Sequence, residues 1–424
     1  MAPDPPARHL PAAPGTPLYV HLPFCVHLCP YCDFFSVEGA GADIDGTIAT
    51  LLDEANCRAP AAPATVFVGG GTPSYLDETQ LRRVFDGLEE ATGFRGSATE
   101  VTVECNPESL TPGKATLLRE LGVDRLSIGI QSLDPATLAF YERPHDAAQA
   151  LAAVATARAA GFERVSVDVI HGAPTEPLDS IERNLLQIIS LGPDHVSAYG
   201  LTYEPGTPLH ARMERGEVEP LDEDDELARL ELVDQLLRDG GLHRYEVSNY
   251  SIKGQQCEHN VNYWRNGPYI GLGPSAASHV GGRRSTNPRS LARWAAARAE
   301  HPLAAGAAEE LDPRERLGET WWLGLRLTEG VDPAAARATA GWPPAPPGAS
   351  GTPAGSADGA HSPGAPSPGP KQPDLTDARP TDDPAEDLAR ELVAEGLLEQ
   401  AAGRYRLTEG ARPLADHVGR RFLA

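Results

Sequence analysis

The sequence predicts an α/β protein: an incomplete six-unit (β/α) barrel, then a C-terminal α+β region that ends in a winged-helix-like unit. Three observations carry this expectation. Six short β-branched runs alternate with segments of helical periodicity, the pattern of strands paired in parallel through helical crossovers. A tight cysteine trio follows the first run directly. Near the C-terminus, a helical segment, two short runs about Gly403 and a last helical segment read as helix, hairpin, helix.

Taken in order, residues 1–16 form an expected flexible N-terminus, and the barrel spans 17–240. Its strands are Tyr19-Val-His-Leu22, Thr65-Val-Phe-Val68, Glu100-Val-Thr-Val-Glu104, Arg125-Leu-Ser-Ile-Gly-Ile130, Arg164-Val-Ser-Val-Asp-Val-Ile170 and His195-Val-Ser-Ala-Tyr199. Between them, residues 77–90, 111–121, 147–160 and 178–190 carry apolar residues at helical spacing, opened by Asp, Thr or Ser caps. The acidic patch Glu217 to Glu226 reads as a solvated helix N-terminus, where carboxylates complement the macrodipole. An extension covers 241–340. Residues 341–384, rich in Pro, Gly, Ala and Ser, have almost nothing apolar to bury and read as a disordered insertion. The winged-helix-like unit is 385–424.

Cys25, Cys29 and Cys32 form a C-x3-C-x2-C run. Three thiolates can hold three irons of a [4Fe–4S] cube and leave the fourth open to a small molecule. Structural zinc is the competitor, but it wants four ligands, usually in paired knuckles, and no second C-x2-C occurs. Because chemistry in such barrels collects where strands end and loops begin, the other strand ends matter too. Strand two ends in Val68-Gly-Gly-Gly-Thr-Pro-Ser74, where missing Cβ atoms let backbone approach a ligand. Strands three to five bring Glu104, Gln131 and Asp168 to the mouth. Carboxylates there can accept ribose hydroxyls, and Arg143 could clamp a carboxylate through its planar fork.

Together, Tyr19-Val-His-Leu-Pro-Phe-Cys25, Cys29-Pro-Tyr-Cys32, Gly69-Gly-Gly-Thr-Pro-Ser74, Glu104-Cys-Asn-Pro107, Ser127-Ile-Gly-Ile-Gln-Ser132 and Tyr203-Glu-Pro-Gly-Thr-Pro208 resemble the radical S-adenosylmethionine (SAM) coproporphyrinogen dehydrogenase-like family. The resemblance covers nearly all the chain outside the Pro/Gly insertion and implies a radical SAM barrel. It implies a cluster on Cys25, Cys29 and Cys32 whose open iron chelates SAM, an electron donor for that cluster, and SAM contacts at Tyr19, Tyr31, Gly70, Gly71, Thr72, Glu104, Gln131, Arg143 and Asp168. In family terms, an electron from the reduced cluster splits the sulfonium to methionine and a 5′-deoxyadenosyl radical.

Two features divide this family. Its dehydrogenases, which decarboxylate coproporphyrinogen III, resemble C-x3-C-x2-C-x-C; the place of the extra Cys is Phe34 here. His259-Asn-Val-Asn-Tyr-Trp264 matches the HNxxYW motif of the haem-binding branch, which implies haem bound by an exposed His259 imidazole against Tyr263 and Trp264. On its residues alone, the motif reads first as a His-Asn pair tying down a turn beside two core aromatics, and only the family resemblance reverses that reading. Relatives often carry a His where Ala277 stands; His279 is a possible substitute, and Cys257 a second conceivable haem ligand. The leading expectation is a haem-binding protein that delivers haem to an acceptor, a haem-requiring membrane respiratory enzyme. The alternatives are coproporphyrinogen III dehydrogenase and a plain electron carrier.

With 36 Lys and Arg against 60 Asp and Glu, the formal charge of −24 argues against a nucleic-acid partner. Six cysteines, three of them scattered, suit a reducing cytoplasmic compartment. No leader-like apolar segment and no bilayer-length apolar stretch is expected.

Overall fold

The six expected strands form, in the expected order. The computed structural model describes residues 8–342 and 383–423. In it β1 (Leu18–Leu22), β2 (Thr65–Gly70), β3 (Glu100–Cys105), β4 (Arg125–Gln131), β5 (Arg164–His171) and β6 (His195–Gly200) pair successively in parallel. Their side chains alternate by the strand period of two. Val20, Val68, Val103, Ile128, Val167 and Val196 are fully buried on one face, each worth roughly 1.5–3 kcal/mol against exposure. The intervening positions put Tyr19, His21, Glu104, Ser127, Ser166 and Asp168 on the other face, which lines a polar barrel interior.

Helices α1 (Ile44–Arg58), α2 (Glu78–Thr92), α3 (Pro112–Glu120), α4 (Pro135–Phe140), α5 (Ala147–Ala159), α6 (Leu178–Ser190), α7 (Pro208–Glu214) and α8 (Glu223–Asp239) occupy the connections that follow these strands. Their starts follow from local chemistry. Asp77 with Gln80, and Asp146 with Gln149, close reciprocal capping boxes on α2 and α5. Gly93, at φ +68°, ends α2 in the left-handed conformation. The acidic patch opens α8, with Asp222 as its cap.

Three features lie outside the sequence expectation. A seventh parallel strand, β9 (Ile270–Leu272), pairs with the free edge of β1; three residues are too few to show a period. Beyond β6 come two antiparallel strands, β8 (Asn249–Ser251) and then β7 (His243–Arg244), completing a nine-stranded sheet. A small antiparallel sheet follows, of β10 (Ala277–Val280), β11 (Arg283–Thr286) and β12 (Ala307–Glu310). Within the N-terminal segment expected to be flexible, Arg8 bridges to Ala304, and the 2 % exposed His9 bonds Ser285 at 2.7 Å and Asn287 at 2.9 Å. Buried polar groups need partners, and the N-terminal segment supplies one.

By packing, the chain divides into two compact units, Met1–Asp312 and Pro313–Ala424. The second holds α11 (Pro313–Gly324), α12 (Pro333–Ala340), α13 (Pro384–Ala394), the hairpin β13 (Leu398–Ala401) with β14 (Arg404–Leu407), and α14 (Ala415–Arg420); the first also contains α9 (Glu258–Trp264) and α10 (Leu291–Glu300). Trp321 stacks on Phe422 at 5.3 Å and touches Tyr405. The hairpin turns where expected, but the last helix is shorter than 414–423, because 3-10 turns flank α14 and Pro413 stands in the first of them. Most of the Pro/Gly/Ser insertion, 343–382, lies outside the described residues. Among those described, no helix is long and apolar enough to cross a membrane.

Candidate functional site

The cysteine loop leaves the C-terminal end of β1 and is fixed at several points. Cys32 N–H donates to Cys29 O, and Gly39 N–H to Cys25 O. Leu209 N–H, at the start of α7, donates to Pro30 O at 2.8 Å, so the Tyr203 to Pro208 segment helps to hold the loop. All three thiols are half-buried. Burial pushes the Cys25 thiol up and that of Cys32 up to about 11, and the neighbouring thiols add to both. Loading a cluster therefore displaces protons. Around the thiols, Thr72 Oγ1 donates to Cys25 Sγ at 3.6 Å and Arg143 Nη1 to Cys29 Sγ at 3.2 Å. Hydroxyl and guanidinium donors stabilise thiolate charge, so the surroundings fit a thiolate-bound cluster. Phe34 is 67 % exposed, two places beyond the trio.

The glycine turn is packed against the root of the cysteine loop. Gly71 N–H donates to Leu22 O and Thr72 N–H to Phe24 O, while Gly70 N–H donates to Glu104 Oε2 at 3.0 Å. A Cβ on Gly71 would lie 2.6 Å from the Pro23 carbonyl carbon, and one on Gly70 would strike the His21 ring. Those glycines bring strand two against the root of the cysteine loop, and their amides are engaged within the protein. The turn is thus a brace, held through its amides.

Glu104 on β3 and Asp168 on β5 share the polar face of the sheet, with β4 between them, and interact electrostatically. Ser127 Oγ donates to both Asp168 oxygens at 3.0 Å. Burial, then the Asp168 charge, push Glu104 up to about 7, against the pull of the Gly70 amide; burial likewise raises Asp168. An acid whose folded pKa exceeds its unfolded one loses stability as pH rises between the two values. In cluster-free protein, Glu104→Gln is therefore expected to be stabilising by on the order of 2 kcal/mol at pH 8 and near neutral at pH 4.5. Urea midpoints at the two pH values measure it; an equal effect at both would contradict the assignment.

Gln131 closes β4 at φ +59° where the pairing with β5 slips between Gly129 and Gln131. A left-handed non-glycine residue at a bulge marks stored strain at a site. Arg143 Nη2 donates to Asn106 Oδ1 at 2.8 Å and Gly129 O at 3.0 Å, while its Nε is buried without a hydrogen-bond partner. Tyr31 packs edge-on against Tyr141 at 5.3 Å. Sequence reasoning assigned no role to two residues that join these parts. Asn106 also donates to Thr72 Oγ1, linking Arg143 to the glycine turn. His21 accepts from Tyr19 O–H at Nδ1 and donates from Nε2 to Phe35 O. Its position two residues after Tyr19, on the same strand face, was the available signal.

The HNxxYW motif occupies a different place. His259 lies on α9, whose N-terminus packs against the starts of the strands, the end opposite the cysteine loop. The Glu100 carboxylate, at the start of β3, receives Glu258 N–H, His259 N–H and Cys257 S–H. It also pairs with Arg125 at 3.0 Å and Arg164 at 3.3 Å. His259 is 1 % exposed, bonded to Thr65 Oγ1 at 2.8 Å and Tyr263 O–H at 2.9 Å, and packed on Phe67. Burial drives its pKa down to about 4. The expected exposed imidazole is thus corrected: both ring nitrogens are taken inside a barrel floor, with Tyr263 and Trp264 half-buried beside them. Cys257 and His279 are also buried. His259→Ala is expected to cost about 1–3 kcal/mol of unfolding free energy with cluster content unchanged; iron analysis and chemical denaturation check both.

Cysteine loop, glycine brace and two carboxylates at the mouth of a parallel partial barrel define a radical SAM protein. A model of the Radical SAM superfamily matches residues 19–188. The heme chaperone HemW of Bacillus subtilis is 33 % identical over 317 residues, 74 % of this chain and 84 % of that protein. The heme chaperone HemW of Mycobacterium tuberculosis is 37 % identical over 327 residues, 75 % and 84 %. The chain belongs to the HemW family. In fold, the structure of coproporphyrinogen III oxidase HemN from Escherichia coli, a radical SAM enzyme, superposes with a TM-score of 0.76 over 96 % of this chain and 90 % of that one, at 21 % identity.

Proposed function

We propose that this protein is a cytoplasmic haem chaperone: it holds a [4Fe–4S] cluster and SAM at the barrel mouth, binds haem, and passes it to an acceptor, a haem-requiring membrane respiratory enzyme. The observation that carries this reading is the similarity, over more than four-fifths of their length, to proteins named heme chaperone. In this reading Cys25, Cys29 and Cys32 hold the cluster. Tyr19, Tyr31, Gly70, Gly71, Thr72, Glu104, Gln131, Arg143 and Asp168 surround SAM, the glycines as the brace. When both are bound and an electron donor reduces the cluster, the pair supplies one-electron cleavage of the sulfonium. The chain's own contribution is placement: Asn106 aims Arg143, and Ser127 orients Asp168.

The second reading, coproporphyrinogen III dehydrogenase, draws support from the HemN-like fold. Against it stands Phe34 where those enzymes carry a further Cys. The deciding experiment gives anaerobically reconstituted protein hemin in one arm and coproporphyrinogen III, SAM and dithionite in the other. Saturable hemin binding without decarboxylation is the expected result; steady turnover would replace the chaperone reading with the enzyme.

A further inference from the structure

We propose that His27, on the cysteine loop, is the haem-iron ligand, and that the apolar rim of that loop receives the macrocycle. This rests on the haem-chaperone reading. Haem binding asks for a reachable donor atom, apolar surface for a flat ring and cations for two propionates. Burial removes most of the described histidines, His259 among them. Of those that reach solvent, His27 is flanked on both sides by exposed large apolar residues, Val26 at 47 % and Leu28 at 42 %, with Phe34 at 67 % on the same loop.

The His27 side chain is itself 39 % exposed. Its Nε2 is turned inward, buried without a hydrogen-bond partner and 3.8 Å from Glu142 Oε2, so the ring must rotate to present that atom. Turning the ring outward to meet an iron therefore breaks no hydrogen bond at Nε2. Two cations are paired with acids at or beside this loop, in a chain that is otherwise strongly acidic. Arg212 Nη1 lies 3.7 Å from the other oxygen of Glu142, and the 56 % exposed Arg289 pairs with Asp33, next to Phe34. Both can turn to a propionate at small cost, since exposed ion pairs are worth about 0–1 kcal/mol.

The test is anaerobic hemin titration of the full-length, cluster-loaded protein, followed by absorption spectra, for wild type, His27→Ala, His27→Met and His259→Ala. His27→Ala is expected to weaken binding at least tenfold, while His27→Met retains binding but moves the haem bands as a thioether replaces imidazole. That spectral change is one that loss of packing alone would not produce. Wild-type affinity and spectrum in both His27 variants would overturn the proposal. So would loss of haem in a folded, cluster-loaded His259→Ala protein alone, since α9 would then have to open. A wild-type protein that takes up no hemin, or takes it up without saturation, would remove the chaperone reading itself, and the ligand assignment with it.

Discussion

Cys29→Ala protein is expected to leave anaerobic reconstitution with almost no iron, no bound sulfide and no cluster absorbance, while its far-ultraviolet circular dichroism stays that of the wild type. The cube would be left with two protein thiolates, Cys25 and Cys32, and Arg143 would lose the sulfur that its Nη1 faces at 3.2 Å. No spare thiol waits nearby. Cys57 is exposed on α1, while Cys105 and Cys257 are buried, and burial pushes the Cys105 thiol up to about 12, far from the thiolate that metals require. Retention of a full complement of iron and sulfide would remove Cys29 from the ligand set. The fold should survive, because the loop is anchored by backbone bonds at Cys25, Pro30 and Phe35 that do not depend on the thiols.

Glu100→Ala is expected to be the most destabilising single substitution in the barrel, costing about 3–5 kcal/mol. Glu100 is fully buried. Its two oxygens receive the guanidinium of Arg125, that of Arg164, two backbone amides of α9 and the Cys257 thiol. Removing the carboxylate strands the buried Arg125 charge and frees the N-terminus of α9, so the barrel floor loses its common anchor. Glu100→Gln should lie between, since an amide oxygen still accepts but no longer neutralises two arginines. Denaturant unfolding measures both. An effect below about 1 kcal/mol for Glu100→Ala would mean that the floor is held by the apolar packing of Phe67 and Tyr263 instead.

The sequence alone carried the parallel order of the six strands, because alternating β-branched runs and amphipathic helices admit few other pairings. It also carried the cysteine trio at the first strand end, since ligand spacing within eight residues is local and survives without coordinates. Three-dimensional structure was needed wherever meaning depends on partners distant in sequence. Gly70 and Gly71 brace the root of the cysteine loop, a role visible only once Pro23 and His21 lie against them. Asn106 gained its role from Thr72 and Arg143, thirty-four and thirty-seven residues away. His259 shows the same limit most sharply: a His-Asn-x-x-Tyr-Trp string does not say which way its imidazole points. Burial and hydrogen bonding are properties of the packed chain, and they place an imidazole expected at the surface inside the barrel floor.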